Sequence, residues 1–374
     1  MITNKFYVGC VLLFLTICAE AQNLPSKKEV LAIINKTNNY WQLNNKPQVR
    51  AFWDHAAYHT GNMEVFAITK NETYRKYSED WAAHNQWMGA KSADKTLWKY
   101  KYGETDEYVL FGDWQICFQT YIDLYHLAPQ DYKIARAKEV MEYQMNTAQN
   151  DYWWWADGLY MVMPVMTKLY KTTGNPLYLD KLYEYFTYAN SIMYDKEEQL
   201  YYRDQKYVYP KHKSVNGKKD FWARGNGWVF AGLAKVLYDL PKKDKHRAEY
   251  VSKFQGMAKA ILASQQEEGY WTRSLLDADH APGKETSGTA FFTYGLLWGI
   301  NNGYLDKRTY FPAALKAWNY LSKIALQENG RVGYVQPIGE KAIPGQIVDA
   351  NATANFGVGA FLLANCEMYR YLKR

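Results

Sequence analysis

The sequence predicts an all-α fold, an (α/α)6 barrel made as a toroid of six helical hairpins in a single domain, and three observations predict it. Apolar residues recur at three- and four-residue spacing along most of the chain, and no stretch alternates convincingly as a strand does. Two kinds of helix alternate: charged helices with one apolar side, and helices that are apolar or small on nearly every side. The pattern also repeats at long, even intervals. Leu169-Tyr170 and Leu237-Tyr238 stand 68 residues apart and Gly303-Tyr304 follows 66 further on, a period that fits repeated helical hairpins.

Taken in order, the N-terminus reads as a secretory signal over residues 1–21. Lys5 supplies positive charge, Val11 to Ile17 is largely apolar, and Ala19-Glu20-Ala21 fits small-x-small cleavage near Ala21/Gln22. That predicts a catalytic domain over 22–374 in a periplasmic or secreted protein. The one-sided helices are expected over Lys27 to Gln42, Asp131 to Gln149, Pro176 to Met193, His246 to Gln266 and Arg308 to Gln327. In the second of these Ile134, Ala137, Val140, Met141 and Met145 form the apolar stripe. The nearly uniform helices are expected over Gly61 to Tyr74, Asp113 to His126, Asp157 to Tyr170, Gly225 to Leu240, Ser287 to Gly303 and Thr353 to Tyr371. A helix apolar on most sides must be buried on most sides, so these form the inner ring. Several follow glycine-containing turns: Tyr58-His59-Thr60-Gly61, Phe111-Gly112-Asp113, Ala156-Asp157-Gly158, Arg224-Gly225-Asn226-Gly227 and Glu285-Thr286-Ser287-Gly288. Closing the ring brings Tyr58, Asp113, Asp157, Arg224 and Glu285 to one face. An open superhelical stack is the alternative.

A hydrophobic content of 48% with 22% charged residues marks a folded chain rather than a disordered one. Aromatic residues reach 17%, which suits either a large core or a sugar-binding groove. The net charge of +7 suits an anionic ligand but is not gathered into a nucleic-acid-binding patch; Lys211, Lys213, Lys218 and Lys219 read as a solvated loop. Beyond the signal no apolar run is long enough to span a bilayer. Signal removal leaves Cys117 and Cys366, both in apolar helical settings, as buried free thiols. No metal or cofactor is expected: His55 and His59 lack companions at ligand spacing, and phosphate-cradling, dinucleotide and nucleophile-elbow motifs are absent.

Carboxylate chemistry is left, and two segments carry it. Phe221-Trp222-Ala223-Arg224-Gly225-Asn226-Gly227-Trp228 joins an arginine fork, suited to gripping a carboxylate, to indole faces that stack on sugar rings. Arg224 is expected to face the pocket with few partners until a ligand arrives. Trp153-Trp154-Trp155-Ala156-Asp157-Gly158-Leu159-Tyr160-Met161 sets one acid among aromatics, where desolvation raises a carboxyl pKa. Asp113 and Asp157 form the natural pair for general acid and base work. Aspartate also favours helix N-caps, so each acid has a purely structural alternative.

With these motifs the chain resembles the unsaturated glycuronyl hydrolases of glycoside hydrolase families 88 and 105, the unsaturated rhamnogalacturonyl hydrolases of family 105 most of all. The resemblance rests on Trp155 to Met161 with Pro164, on Phe221 to Trp228, and on Glu285-Thr286-Ser287-Gly288-Thr289. It implies an (α/α)6 barrel and removal of a terminal 4,5-unsaturated uronic acid from lyase-generated oligosaccharides, such as those of rhamnogalacturonan or ulvan. It further implies Asp157 as general acid/base, Asp113 as a second essential acid holding ring hydroxyls, and Arg224, Trp228, Trp222 and Tyr58 as substrate contacts. The chain departs from the family where Leu200-Tyr201-Tyr202 is followed by Arg203-Asp204 instead of histidine. His212 is a replacement from another loop position, and Arg203 suits a more anionic, for instance sulfated, substrate. An inverting glycosidase, a polysaccharide lyase or a non-catalytic sugar-binding protein on the same scaffold are the competing readings.

Overall fold

The computed structural model describes residues 24–373; the expected signal peptide, residues 1–21, lies outside the described residues. In chain order, outer α1 (Lys27–Asn44) leads to inner α2 (Trp53–Thr69), outer α3 (Glu72–His84), and inner α4 (Gly112–Gln115) running almost directly into α5 (Cys117–Leu127). Outer α6 (Tyr132–Met145), inner α7 (Ala156–Thr173), outer α8 (Leu177–Met193), inner α9 (Ala223–Asp239) and outer α10 (Arg247–Ala263) follow. Inner α11 (Thr286–Asn301), outer α12 (Lys307–Tyr320) and inner α13 (Asn355–Tyr371) complete the series. The inner ring closes: α2 packs on α4 and α5, these on α7, α7 on α9, α9 on α11, α11 on α13, and α13 back on α2. The chain is therefore an (α/α)6 barrel and not an open stack. Every residue of α11 is buried, as its all-round apolar pattern requires. Cys117 and Cys366 are free and buried, on α5 and α13.

The first hairpin corrects the sequence reading. Gly61 was expected to open a helix, but α2 starts at Trp53 and Gly61 lies within it. Its role is close approach: a Cβ on Gly61 would stand 2.4 Å from the Gly359 carbonyl oxygen of α13, and one on Gly359 would stand 2.3 Å from that of Ala57. These two glycines let the ring close where its ends meet. Lys70, left-handed at φ 56°, ends α2, and α3, of which the expected helix Gly61 to Tyr74 included only the start, follows at once. The expectation of no strand also needs amending, since Tyr194–Asp195 pairs antiparallel with Leu200–Tyr201.

Inner helices pass to outer ones through short turns, whereas the returns from outer to inner helices are long, as in residues 85–111, 194–222, 264–285 and 326–354. All these long segments gather at the N-terminal ends of the inner helices. Three of them are tied down by one device. The first helical N–H groups have no partner within a helix. The N–H of Ala156 donates to the Arg203 carbonyl at 2.7 Å, that of Ala223 to Arg273 at 2.8 Å, and that of Thr286 to Tyr334 at 2.8 Å.

Candidate active site

The second residues of the six inner helices are Asp54, Asp113, Asp157, Arg224, Ser287 and Phe356. The first four line a cavity of about 270 Å³ together with Trp53, Trp155, Trp222, Arg203, Tyr102 and Glu340. That lies near the lower end of small-ligand sites, about 300–1,000 Å³, and suits one sugar ring better than a polymer. Two repeats of Trp-Ala-x-Gly build the walls. Trp155 lies across the first turn of α7 and Trp222 across that of α9. A Cβ on Gly158 would come within 3.2 Å of the Trp155 ring, and one on Gly225 within 3.0 Å of Trp222. The glycine after each functional residue thus makes room for the indole before it.

Neither acid of the predicted pair is an N-cap; Phe111 and Trp155 hold those positions. Both aspartates are buried. Burial lifts the Asp113 carboxyl well above the usual carboxylate range, the charge of Asp157 adds to this, and Arg203 opposes it. Burial also raises Asp157, against the pull of Arg203 and Arg224. The two environments differ: burial pushes Asp113 further toward its neutral form, while Asp157 is held near two cations. Asp157 Oδ2 has no hydrogen-bond partner among the described residues, nor has Arg203 Nε, and the two atoms stand 3.4 Å apart. Arg203 reaches the site because its carbonyl caps α7; its Nη1 contacts Asp204 at 2.7 Å and Glu340 at 3.3 Å.

Arg224 does not stand free as the sequence suggested. It lies between the faces of Trp222 and Phe356, each 4.6 Å away, and donates to the carbonyls of Gln336 at 2.5 Å and Pro337 at 2.8 Å. Burial draws its guanidinium down to about 10, with Glu285 and Asp157 opposing, so it stays charged near neutrality. Arg224 therefore anchors the 326–354 segment as well as lining the cavity. Glu285 assists from beneath, bonding Ser287 N, Gly288 N and Gln336 N.

Three predicted contacts lie elsewhere. Tyr58 is buried against α1, where its hydroxyl donates to Asn38 at 2.6 Å and accepts from Gln42 at 3.1 Å; it starts no helix and does not line the cavity. Trp228, one turn below Arg224, is buried against Trp53, Tyr160, Phe291 and Phe356 and makes the layer under the cavity. His212 bonds Asp220 at 2.8 Å within its own loop and also stays outside the lining. Asp54, Glu104 and Glu340 line the cavity and were not foreseen. Correctly starting α2 at Trp53 would have exposed Asp54 as the counterpart of Asp113 and Asp157; nothing local marks the two loop glutamates.

Among the described residues no cluster of three or more His, Cys, Asp or Glu side chains is placed to hold a metal ion, and no helix is long and apolar enough to cross a membrane. The family model described as Glycosyl Hydrolase Family 88 matches residues 25–372. The chain belongs to glycosyl hydrolase family 88. As a family 88 member it is a glycoside hydrolase. It is 35% identical over 328 residues to an unsaturated 3S-rhamnoglycuronyl hydrolase of Formosa agariphila, covering 85% of this chain and 84% of that one. It is 63% identical to a solved family 88 structure from Bacteroides vulgatus, with a TM-score of 0.92 over 93% of this chain and 100% of that chain. A second solved structure, named a polysaccharide lyase, is 69% identical with a TM-score of 0.91, over 93% of this chain and 98% of that chain.

Proposed function

We propose that this family 88 hydrolase removes a terminal 4,5-unsaturated uronic acid from lyase-generated oligosaccharides by hydrating the double bond. The observation that carries the reading is the pairing of two buried carboxyls with raised pKa, one of them 3.4 Å from Arg203, in a cavity sized for one ring. Arg203 Nε, the unpartnered cationic donor, meets the uronate carboxylate, and Trp222 and Trp155 flank the ring. Asp113, whose protonated form burial favours, donates a hydrogen bond to a ring hydroxyl. Asp157 in its protonated form gives its proton to C4. The cation left at C5 is shared with the ring oxygen, and water adds there while its proton returns to Asp157. The C5 hemiketal then opens to a ketone, and the hemiacetal at C1 releases the next sugar. One residue thus serves as acid and base, a role worth roughly 10²–10⁴-fold in rate. Names of relatives support the same substrate class. The N-terminal sequence supports export to the periplasm or medium, which an N-terminal analysis of the exported protein tests.

The name of the 69%-identical structure favours a second reading, a lyase. A lyase needs a base for the C5 proton, and the tyrosine lining the cavity, Tyr102, is held toward its protonated form by partial desolvation and by its hydrogen bond to Glu104. That weighs against it. Absorbance of the conjugated uronate separates the two. Loss of absorbance on an unsaturated disaccharide supports hydration, a gain on a saturated uronate polymer supports elimination, and no change on either overturns both.

A further inference from the structure

Building on this hydrolase reading, and in contrast to the 3S-rhamnose unit in the relatives' names, we propose that the sugar released with the uronate is uncharged, and that Glu340 and Glu104 at the cavity rim select against a sulfate or second carboxylate on it. The argument begins with the cations. Three arginines line the cavity. Arg224 is committed to the carbonyls of Gln336 and Pro337. Arg50 is committed to Glu104 at 2.7 Å. Among the described residues lining the cavity, Arg203 is the arginine with a buried donor that makes no hydrogen bond, its Nε, 3.4 Å from Asp157 Oδ2. The lining therefore offers recognition for one anionic group, and the uronate carboxylate uses it.

The rim outside that point is closed to a second anion. Glu340 reaches over Arg203 and is tied to Lys206 at 3.2 Å, so Lys206 is already paired. Burial alone would raise the Glu340 carboxyl, but Tyr207 and Lys206 hold it below the usual range, so it is charged at neutral pH. Glu104 accepts from Tyr102 at 3.0 Å as well as from Arg50. Lys341, next in the chain after Glu340, is exposed and does not line the cavity. Between the two glutamates the rim is apolar: Tyr102 is 62% exposed and Ile338 65% exposed, and both line the cavity. Tyr102 is held in place by its bond to Glu104 and by the edge of Phe111, 5.8 Å away, so its ring is a fixed platform. A sugar face with few polar groups fits that platform, whereas an anionic substituent meets two carboxylates whose cations, Arg50 and Lys206, are already ion-paired.

The experiment compares two unsaturated disaccharides that differ only by a sulfate on the released sugar. Wild-type kcat/KM should favour the unsulfated form by roughly 10-fold or more at low ionic strength, and the ratio should narrow at high salt because the rim charges are exposed. Glu340→Gln should narrow the ratio at low salt about as much as salt does, and Glu340→Asp should keep it. Equal or better turnover of the sulfated form, or a ratio that neither salt nor Glu340→Gln changes, overturns the charge-selection proposal while leaving the hydrolase reading intact. Turnover of neither disaccharide overturns the hydrolase reading, and this proposal with it.

Discussion

Cavities of about 270 Å³ occur at both ends of the barrel. One lies at the N-terminal ends of the inner helices and holds Asp113 and Asp157; the other lies at their C-terminal ends and is lined by Glu64, Lys168, Lys235, Glu367 and Arg370. At the C-terminal end most of the charges are paired, although Lys235 has no ion pair among the described residues and burial raises Glu367. Arg370 bonds both Glu64 and Glu367, Lys168 bonds Asp123, and Lys171 bonds Asp239. Cations there also complement the exposed carbonyl ends of the helices. Burial alone would raise Glu64, but Arg370 and Lys235 draw it down to about 2. At the N-terminal end the helix dipoles favour anions, yet burial outweighs them and lifts both aspartates. The same fold therefore pairs most of the charge at one end of the barrel and leaves two aspartates raised by burial at the other.

Replacing acids by amides at each end breaks this comparison most directly. Asp157→Asn should fold normally and lose about 10²–10⁴-fold in kcat, because the amide keeps the size but carries no transferable proton. Retention of more than about a tenth of wild-type kcat would remove Asp157 from the mechanism. Asp113→Ala should raise KM and lower kcat together, by about 10- to 100-fold in kcat/KM, since the hydrogen bond it donates positions the ring. Unchanged steady-state kinetics would make Asp113 a structural residue.

Stability should move in opposite directions at the two ends. Glu64→Gln should cost about 1–3 kcal/mol, discounted for the solvent that reaches the pair, and leave kcat/KM of the folded protein unchanged. Asp113→Asn should instead stabilise, by about 0.5–2 kcal/mol at neutral pH, because it removes a carboxyl whose ionisation the fold opposes. The pH dependence has matching signs. Glu64, depressed from 4.5 to about 2, contributes stability that is present above its unfolded pKa and drains away as the pH falls through that window. Asp113, raised, makes the native state bind its proton more tightly than the unfolded chain, so its contribution is fullest at low pH and is lost as pH rises through its folded value. Denaturant melts of the two amide variants across pH 2–7 check both signs. A loss of stability in Asp113→Asn at pH 7 would show that its carboxyl is satisfied after all.

A further prediction concerns Arg224, which belongs to both roles. Arg224→Lys keeps the charge but cannot span the Gln336 and Pro337 carbonyls, so it should lower stability by about 1.5–3 kcal/mol while also loosening the 326–354 wall of the cavity. Melting temperature and KM should therefore shift together. A KM shift with no melting shift would mean that the carbonyl contacts contribute nothing to the fold.

Much of this was legible in the sequence. The all-round apolar helices fixed the inner ring because a helix without a polar side has nowhere to sit but inside. The two Trp-Ala-x-Gly repeats located Asp157 and Arg224, since an acid and a cation at matching helix starts form a local signal. What stayed hidden depended on contacts far apart in the chain. Gly61 looked like a turn because the residue it must approach, Gly359, lies on the last helix. Asp54 was lost with that misplaced start. Glu340 and Glu104 sit in long loops with no periodicity to place them, and Arg224 looked free because its carbonyl partners lie more than a hundred residues away. By itself the sequence determined most of the helices after the first hairpin, their pairing, and the two candidate acids, because those follow from local periodicity and residue chemistry. Only the tertiary structure decided which cations are already spoken for and which charges the cavity leaves unanswered, because partnership depends on the path of the return loops, and no local pattern encodes that path.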